Sequence, residues 1–337
     1  MKIRIQPFTT EMIPAAAGLL ARRHQSNRAK LPLLPARFED EQSAAKAVRA
    51  LWEKKFKYGY AAFREERLVA YLIGEHVVQP WARCGYIQLP GYALADGESE
   101  EVLQDLYARL GEDWVDNGVF SHGMYVSAAD ENIIEAFFNL GFGKERVDGL
   151  LDLRGLNIPQ TPDPQGITFR VAGPGDNDRI GSLSHLIMNA LAKAPYWHPT
   201  NSDDYKEIKE GWSELADDKD WTVWLALDEH DIPLGTCGFY EEKESDTDLL
   251  VSPKTMSFSI AVTKPEARGR GISSVLLWRG LAQAQRDGFE ICYTDWISPN
   301  LLASRHWPRF GFIDVAYRIS KRIDPQIAWT SRAENSE

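Results

Sequence analysis

One succession of elements runs twice through this chain, and the repetition limits its architecture more than any single motif does. Gly118 and Gly288 stand 170 residues apart, as do the dipeptides Gly141-Phe142 and Gly311-Phe312. Upstream of each pair the hydrophobic period changes in one order: strand, two helices, hairpin, strand, helix, strand, short helix, closing strand. In the first copy this predicts strands at 3–5, 61–64, 68–73, 84–89 and 121–126, with helices over 10–23, 40–58, 99–115 and 133–140. In the second it predicts strands at 167–171, 223–227, 234–239, 257–262 and 291–297, helices over 176–193, 202–215 and 272–286, and a short helix carrying Ala303 and Trp307. Residues 156–166, with Pro159, Pro162 and Pro164, have the composition of a linker. Domains are therefore expected at 1–155 and 167–325, with 326–337 as a tail, and 337 residues accommodate two of ordinary size.

The second copy carries a stretch with chemistry in it. Between the strand at 257–262 and the helix that ends at Arg286 lies Arg268-Gly269-Arg270-Gly271-Ile272-Ser273. Glycines there let backbone approach a ligand, the first amides of a helix lack intrahelical partners, and the helix dipole is positive at that end. Two arginines add charge suited to phosphate. A dinucleotide fingerprint would need a third glycine where Ser274 stands, and a P-loop would need Gly-Lys-Ser/Thr, so neither standard phosphate loop fits. In the first copy the equivalent positions are Glu98, Glu100 and Glu101. Carboxylates suit a helix start and repel a diphosphate, so only one cradle is expected.

Downstream come Gly288, the strand at 291–297, Ser298-Pro299-Asn300, the short helix, and Phe310-Gly311-Phe312 leading into a last strand. Strand, Arg-x-x-Gly-x-Gly/Ala loop, helix, strand, Asn, short helix and Gly-Phe resembles the GNAT acetyltransferase family, over roughly residues 167–323. The resemblance implies an α/β chain of two tandem GNAT-like domains, each a mixed, mostly antiparallel sheet flanked by helices, with the first copy degenerate. It also implies acetyl-CoA as co-substrate. Its diphosphate would lie on Arg268, Gly269, Arg270, Gly271, Ile272 and Ser273, its pantetheine on the backbone of Ile260 and Val262, with Asn300 and Trp307 alongside. The family commonly has a Tyr acid at the position of Trp307, and indole offers no transferable proton at a useful pKa. His306, Asp295 and the hydroxyls of Ser257, Ser259 and Ser304 are the remaining catalytic candidates. The loop between the first two helices usually lines the acceptor cleft, and here Tyr196, Trp197, Asp203 and Asp204 suit a cationic amine of a small molecule or peptide. Two rival expectations are a non-catalytic acyl-CoA-binding protein and transfer of a longer acyl group or acetylation of a protein N-terminus.

Composition narrows the partners. A net charge of −11 disfavours nucleic acid and anionic membranes, both of which need a positive surface. Cys84, Cys237 and Cys292 have neither metal-ligand nor disulfide spacing, so no metal is expected. No run reaches membrane-spanning length, and residues 1–5 read as a strand rather than an export signal, which makes a cytoplasmic monomer or homodimer the expectation.

Overall fold

A computed structural model describes residues 2–78, 83–160, 162–198 and 200–330. In chain order the first copy comprises β1 (Ile3–Pro7), α1 (Ile13–Lys30), α2 (Glu41–Trp52), β2 (Lys57–Arg64), β3 (Arg67–Val78), β4 (Arg83–Ile87), β5 (Tyr92–Leu94), α3 (Glu101–Asp116), β6 (Ser121–Ser127), α4 (Glu131–Asn139) and β7 (Gly143–Asp152). The second comprises β8 (Ile167–Val171), α5 (Asn177–Gly181), α6 (His185–Leu191), α7 (Ser202–Trp212), β9 (Trp221–Asp228), β10 (Pro233–Glu241), β11 (Thr255–Thr263), α8 (Ile272–Arg286), β12 (Ile291–Ile297), α9 (Leu301–Ser304) and β13 (Ile313–Arg322).

Two of the predicted helices divide for local reasons. The helix expected over 176–193 breaks into α5 and α6, where Ser182 and Ser184 hydroxyls donate to the carbonyls of Arg179 and Gly181 and so compete with the helical ladder. The short helix expected to carry both Ala303 and Trp307 stops at Ser304, and Pro308 sits in a separate 3-10 turn, Trp307–Phe310.

The chain divides into two compact units that are not contiguous in sequence. Unit 1 takes residues 1–148, 244–251 and 314–337; unit 2 takes 149–243 and 252–313. In unit 1 the strand order is β1-β2-β3-β4-β6-β13, followed by the start of β7. The last strand of the chain thus lies in the unit built mainly from the first copy, where it runs antiparallel to β6 from Ala316↔Ser127 to Arg322↔Ser121. The domain boundaries expected from the linker differ from this division, because β13 buries Val315, Ala316 and Ile319 completely in unit 1. In unit 2 the order is the end of β7, then β12-β11-β10-β9-β8. β4–β6 and β11–β12 are parallel; the other pairings with a resolved register, including β8–β9 and β10–β11, are antiparallel.

Unit 2 is held from both faces of its sheet. On one face α8 buries Ile272, Val275, Leu276, Leu281 and Ala284, a helical-period stripe. The helix comes close because a Cβ at Gly280 would lie 2.1 Å from the Phe239 ring. On the other face Ile180, Leu183 and Trp212 of the α5–α7 segment pack on Val223, Leu225, Leu227 and Ile260. No helix among the described residues is long and apolar enough to cross a membrane.

Candidate functional site

The site begins with an irregularity in β11. Gly238 pairs with Ile260 but Phe239 pairs with Phe258, so Ser259 is an extra, exposed residue in a β-bulge. On its other side β11 pairs with β12 only from Thr255↔Ile291 to Phe258↔Thr294, and beyond that point the two strands are no longer paired. The gap between them becomes the floor of a cavity of about 520 Å³, walled by Leu186, Ile187, Ala190 and Leu191 of α6.

The bulge decides which backbone groups face that gap. Lys264 N–H donates to Leu234 O, and counting back two residues at a time puts the bonded pairs with β10 at Val262/Thr236 and Ile260/Gly238. The backbone groups of Ala261 and Thr263 therefore point into the gap. This corrects the expectation for Ile260 and Val262, which holds only for an unbulged strand; their side chains still border the cavity.

At the far end lies the glycine-rich loop. Gly269 and Gly271 have φ of +78° and +80°, and a Cβ added at either would meet nothing within 4 Å, so the cradle is open on the solvent side. Gly271 is the N-cap of α8 and no side chain caps the helix. The first intrahelical bond runs from Val275 N–H to Gly271 O, leaving the amides of Ile272, Ser273 and Ser274 without helical partners. Arg268 lines the cavity and is steadied by donation to Thr263 O at 3.3 Å. Arg270 is not among the lining residues and donates to Gln165 O at 3.1 Å. Orphan amides, two left-handed glycines and an arginine fit a diphosphate, and an apolar gap lined by in-strand amides fits a pantetheine arm.

Asp295, Asn300, His306 and Trp307 border the same cavity. Trp307 is buried with its ring edge on Phe258, centroids 5.0 Å apart. His306 turns to the loop end, where its Nε2 lies 3.1 Å from Ser273 Oγ, and burial, helped by Arg309, lowers its pKa. Asp295 is exposed on β12. The acceptor-loop candidates are dispersed. Tyr196 lines an adjoining cavity of about 260 Å³ with Lys193 and Arg268. Trp197 is exposed and lines neither cavity, while Asp203 and Asp204 occupy the first turn of α7, whose Asn201 cap accepts from Asp204 N–H. The α6 wall escaped the sequence reading because four apolar residues on a helix look like any core-facing stripe.

In unit 1 the side chains near the aligned positions are paired with one another. Arg23 donates to the carbonyls of Tyr92 and of Leu89, stacks 3.9 Å from the Tyr92 ring, and lies 3.8 Å from the Asp130 carboxylate. Glu98 is held by Arg64 at 2.6 Å and by Arg67 at 3.5 Å.

Residues 186–312 match the family model described as Acetyltransferase (GNAT) family. No curated protein matches the sequence. Among solved structures the chain is similar to a GCN5-related N-acetyltransferase from Sphaerobacter thermophilus, with TM-score 0.58, 16% identity and 95% of each chain covered. It is also similar to a tandem GNAT protein from the clavulanic acid biosynthesis pathway, with TM-score 0.52, 12% identity, and 95% of this chain and 98% of that one covered. A third similar structure is the glucosamine N-acetyltransferase region of a fungal multi-domain GH3 β-N-acetylglucosaminidase, with TM-score 0.57, 14% identity, and 95% of this chain and 38% of that one covered.

Proposed function

We propose that this chain, which carries a GNAT acetyltransferase domain at residues 186–312 within a tandem GNAT fold, is an acetyl-CoA-dependent N-acetyltransferase for a primary amine of a small molecule or peptide. The observation that carries the reading is the opening of β11 from β12 directly upstream of the uncapped, arginine-flanked start of α8. One half of such a site suits a pantetheine arm and the other a diphosphate.

When bound, acetyl-CoA supplies the activated acyl group. The amine nitrogen attacks the thioester carbonyl, a C–N bond forms, the C–S bond breaks, and the departing thiolate takes up a proton. An alkylammonium must first lose a proton, and Asp295 at the cavity edge is the carboxylate able to receive it directly or through water. Trp307 closes the apolar wall and donates no proton. Cys237 and Cys292 are fully buried, and burial pushes both thiols up, which favours direct attack over an acyl-cysteine. In unit 1, Glu98 stands where the offset of 170 residues places Arg268 and is paired with Arg64, which supports one cofactor site per chain.

Calorimetry with acetyl-CoA should give one site per chain, weakened at least about a hundredfold by Gly271→Asp, which puts a side chain and a negative charge in the cradle. Release of free thiol with a panel of amines should follow. Two sites, or one site indifferent to Gly271→Asp, would refute the assignment. Binding without thiol release from any acceptor would favour the non-catalytic acyl-CoA-binding reading, which the indole at position 307 supports.

A further inference from the structure

The glycine-rich loop of unit 2 ends on a polar side chain where the pattern Arg-x-x-Gly-x-Gly/Ala has none. Ser273 holds that last position, in the first turn of α8, and its hydroxyl does not cap the helix. Its Oγ lies instead 3.1 Å from Nε2 of His306, 33 residues further along the chain. Both side chains are half-buried and line the cavity of about 520 Å³. Aromatic neighbours hold the imidazole there. Its ring is edge-on to Trp307 and to Phe310, with centroids 4.7 Å and 4.9 Å away, and Phe310 in turn packs on Trp278 of α8 at 5.1 Å. The turn that follows His306 is thus docked along the same helix whose first amides lack partners, and the ring cannot leave Ser273 without giving up both aromatic contacts.

A neutral imidazole has one N–H and one free lone pair, so the contact can be arranged in two ways. If Nε2 accepts, Ser273 spends its one proton on the ring and turns lone pairs towards the cradle, which repels an anion. If Nε2–H donates, the hydroxyl proton is free for a diphosphate oxygen, in a charge-assisted bond. An anion in the cradle therefore selects the second arrangement. We propose that His306 is a positioning residue for the cofactor and not a proton-transfer group: its Nε2–H donates to Ser273 Oγ, and the Ser273 hydroxyl donates to the diphosphate of acetyl-CoA beside the orphan amides of α8. Burial first, and Arg309 second, lower the pKa of His306 and so favour the neutral ring. The inference rests on the acetyltransferase reading above. It takes His306 out of the catalytic candidates and gives the unusual serine of the loop a task.

The test reads binding without turnover, on full-length protein at about pH 8, where an unperturbed or lowered imidazole is neutral. Calorimetry with coenzyme A should show Ser273→Ala weakened about tenfold and His306→Leu about threefold, with the double variant no weaker than Ser273→Ala alone, because both act through one hydroxyl. His306→Gln, whose amide N–H can stand in for Nε2–H, should stay within about twofold of wild type. Pantetheine lacks the diphosphate and should bind wild type and variants alike in saturation-transfer NMR. In the coenzyme A complex, nitrogen-15 NMR should show His306, assigned by its loss in His306→Gln, as the Nε2–H tautomer. Losses that add in the double variant overturn the proposal, as does His306→Leu binding coenzyme A as tightly as wild type. An equal weakening of pantetheine, the mark of a merely structural role, or an Nδ1–H tautomer in the complex overturns it too. Wild type that binds no coenzyme A refutes the acetyltransferase reading and this inference with it; the other outcomes bear on the hydroxyl–imidazole chain alone.

Discussion

At the scale of single residues, the informative position is Trp307. Its indole packs edge-on against Phe258, which in turn stacks on Phe239, so it belongs to the wall of the cavity on the side covered by α8. Trp307→Phe keeps an aromatic edge there, and turnover should stay within about tenfold, roughly 1.4 kcal/mol of barrier. Steady-state thiol release checks this; a fall of several orders of magnitude at unchanged cofactor affinity would assign the indole a chemical role. His306 was legible in sequence as a neighbour of that position, but its direction was not. The helix ends at Ser304, before both residues, and the structure sets the imidazole against Ser273 and the indole against Phe258.

Among the elements, the start of the α5–α7 segment is fixed by Asp176. Its buried carboxylate accepts from Arg170 at 2.6 Å and 2.8 Å, from Arg179 at 3.0 Å and from Gly173 N–H at 2.9 Å, and hydrogen bonding by Arg170 leads the forces that hold its pKa well below the carboxylate range. Asp176→Ala should destabilise unit 2 by about 1.5–3 kcal/mol in denaturant unfolding. A depressed acid stabilises the fold above its unfolded pKa and loses that contribution as pH falls. The gap between wild type and variant should therefore be full at pH 7 and shrink from about pH 5 downward. A gap constant down to pH 3 would mean the loss is packing rather than charge. The same segment helps to place α6, whose apolar residues wall the cavity, so the variant should also weaken acetyl-CoA binding.

For the whole molecule, the consequential fact is that the chain's last strand completes the unit that its first residues begin. A fragment of residues 1–155 would leave β6 as an open edge lacking Val315, Ala316 and Ile319. It should aggregate or unfold non-cooperatively when made alone, and a peptide of residues 313–323 should restore a cooperative melt. A fragment that folds cooperatively without the peptide would show that β13 is dispensable. The same logic holds for residues 244–251. They leave unit 2 between β10 and β11 and bury Leu249, Leu250 and Val251 in unit 1, where Arg37 pairs with Glu244 at 2.9 Å.

What the sequence determined alone was local. Alternation and helical period located the strands and helices of both copies, the 170-residue offset disclosed the repeat, and the charge of six consecutive residues told the cradle at Gly271 from its acidic counterpart at Glu101. These signals depend on neighbours in the chain, so the chain suffices to read them. Tertiary structure decided the rest. The extra residue at Ser259 shifts the backbone phase of β11 by one, and only pairing with β10 reveals it. The exchange of β13 into unit 1 leaves no mark in its hydrophobic pattern, because a closing strand buries the same face whichever sheet edge it completes. Ser273 and His306 are 33 residues apart, and only the fold brings the hydroxyl and the imidazole together.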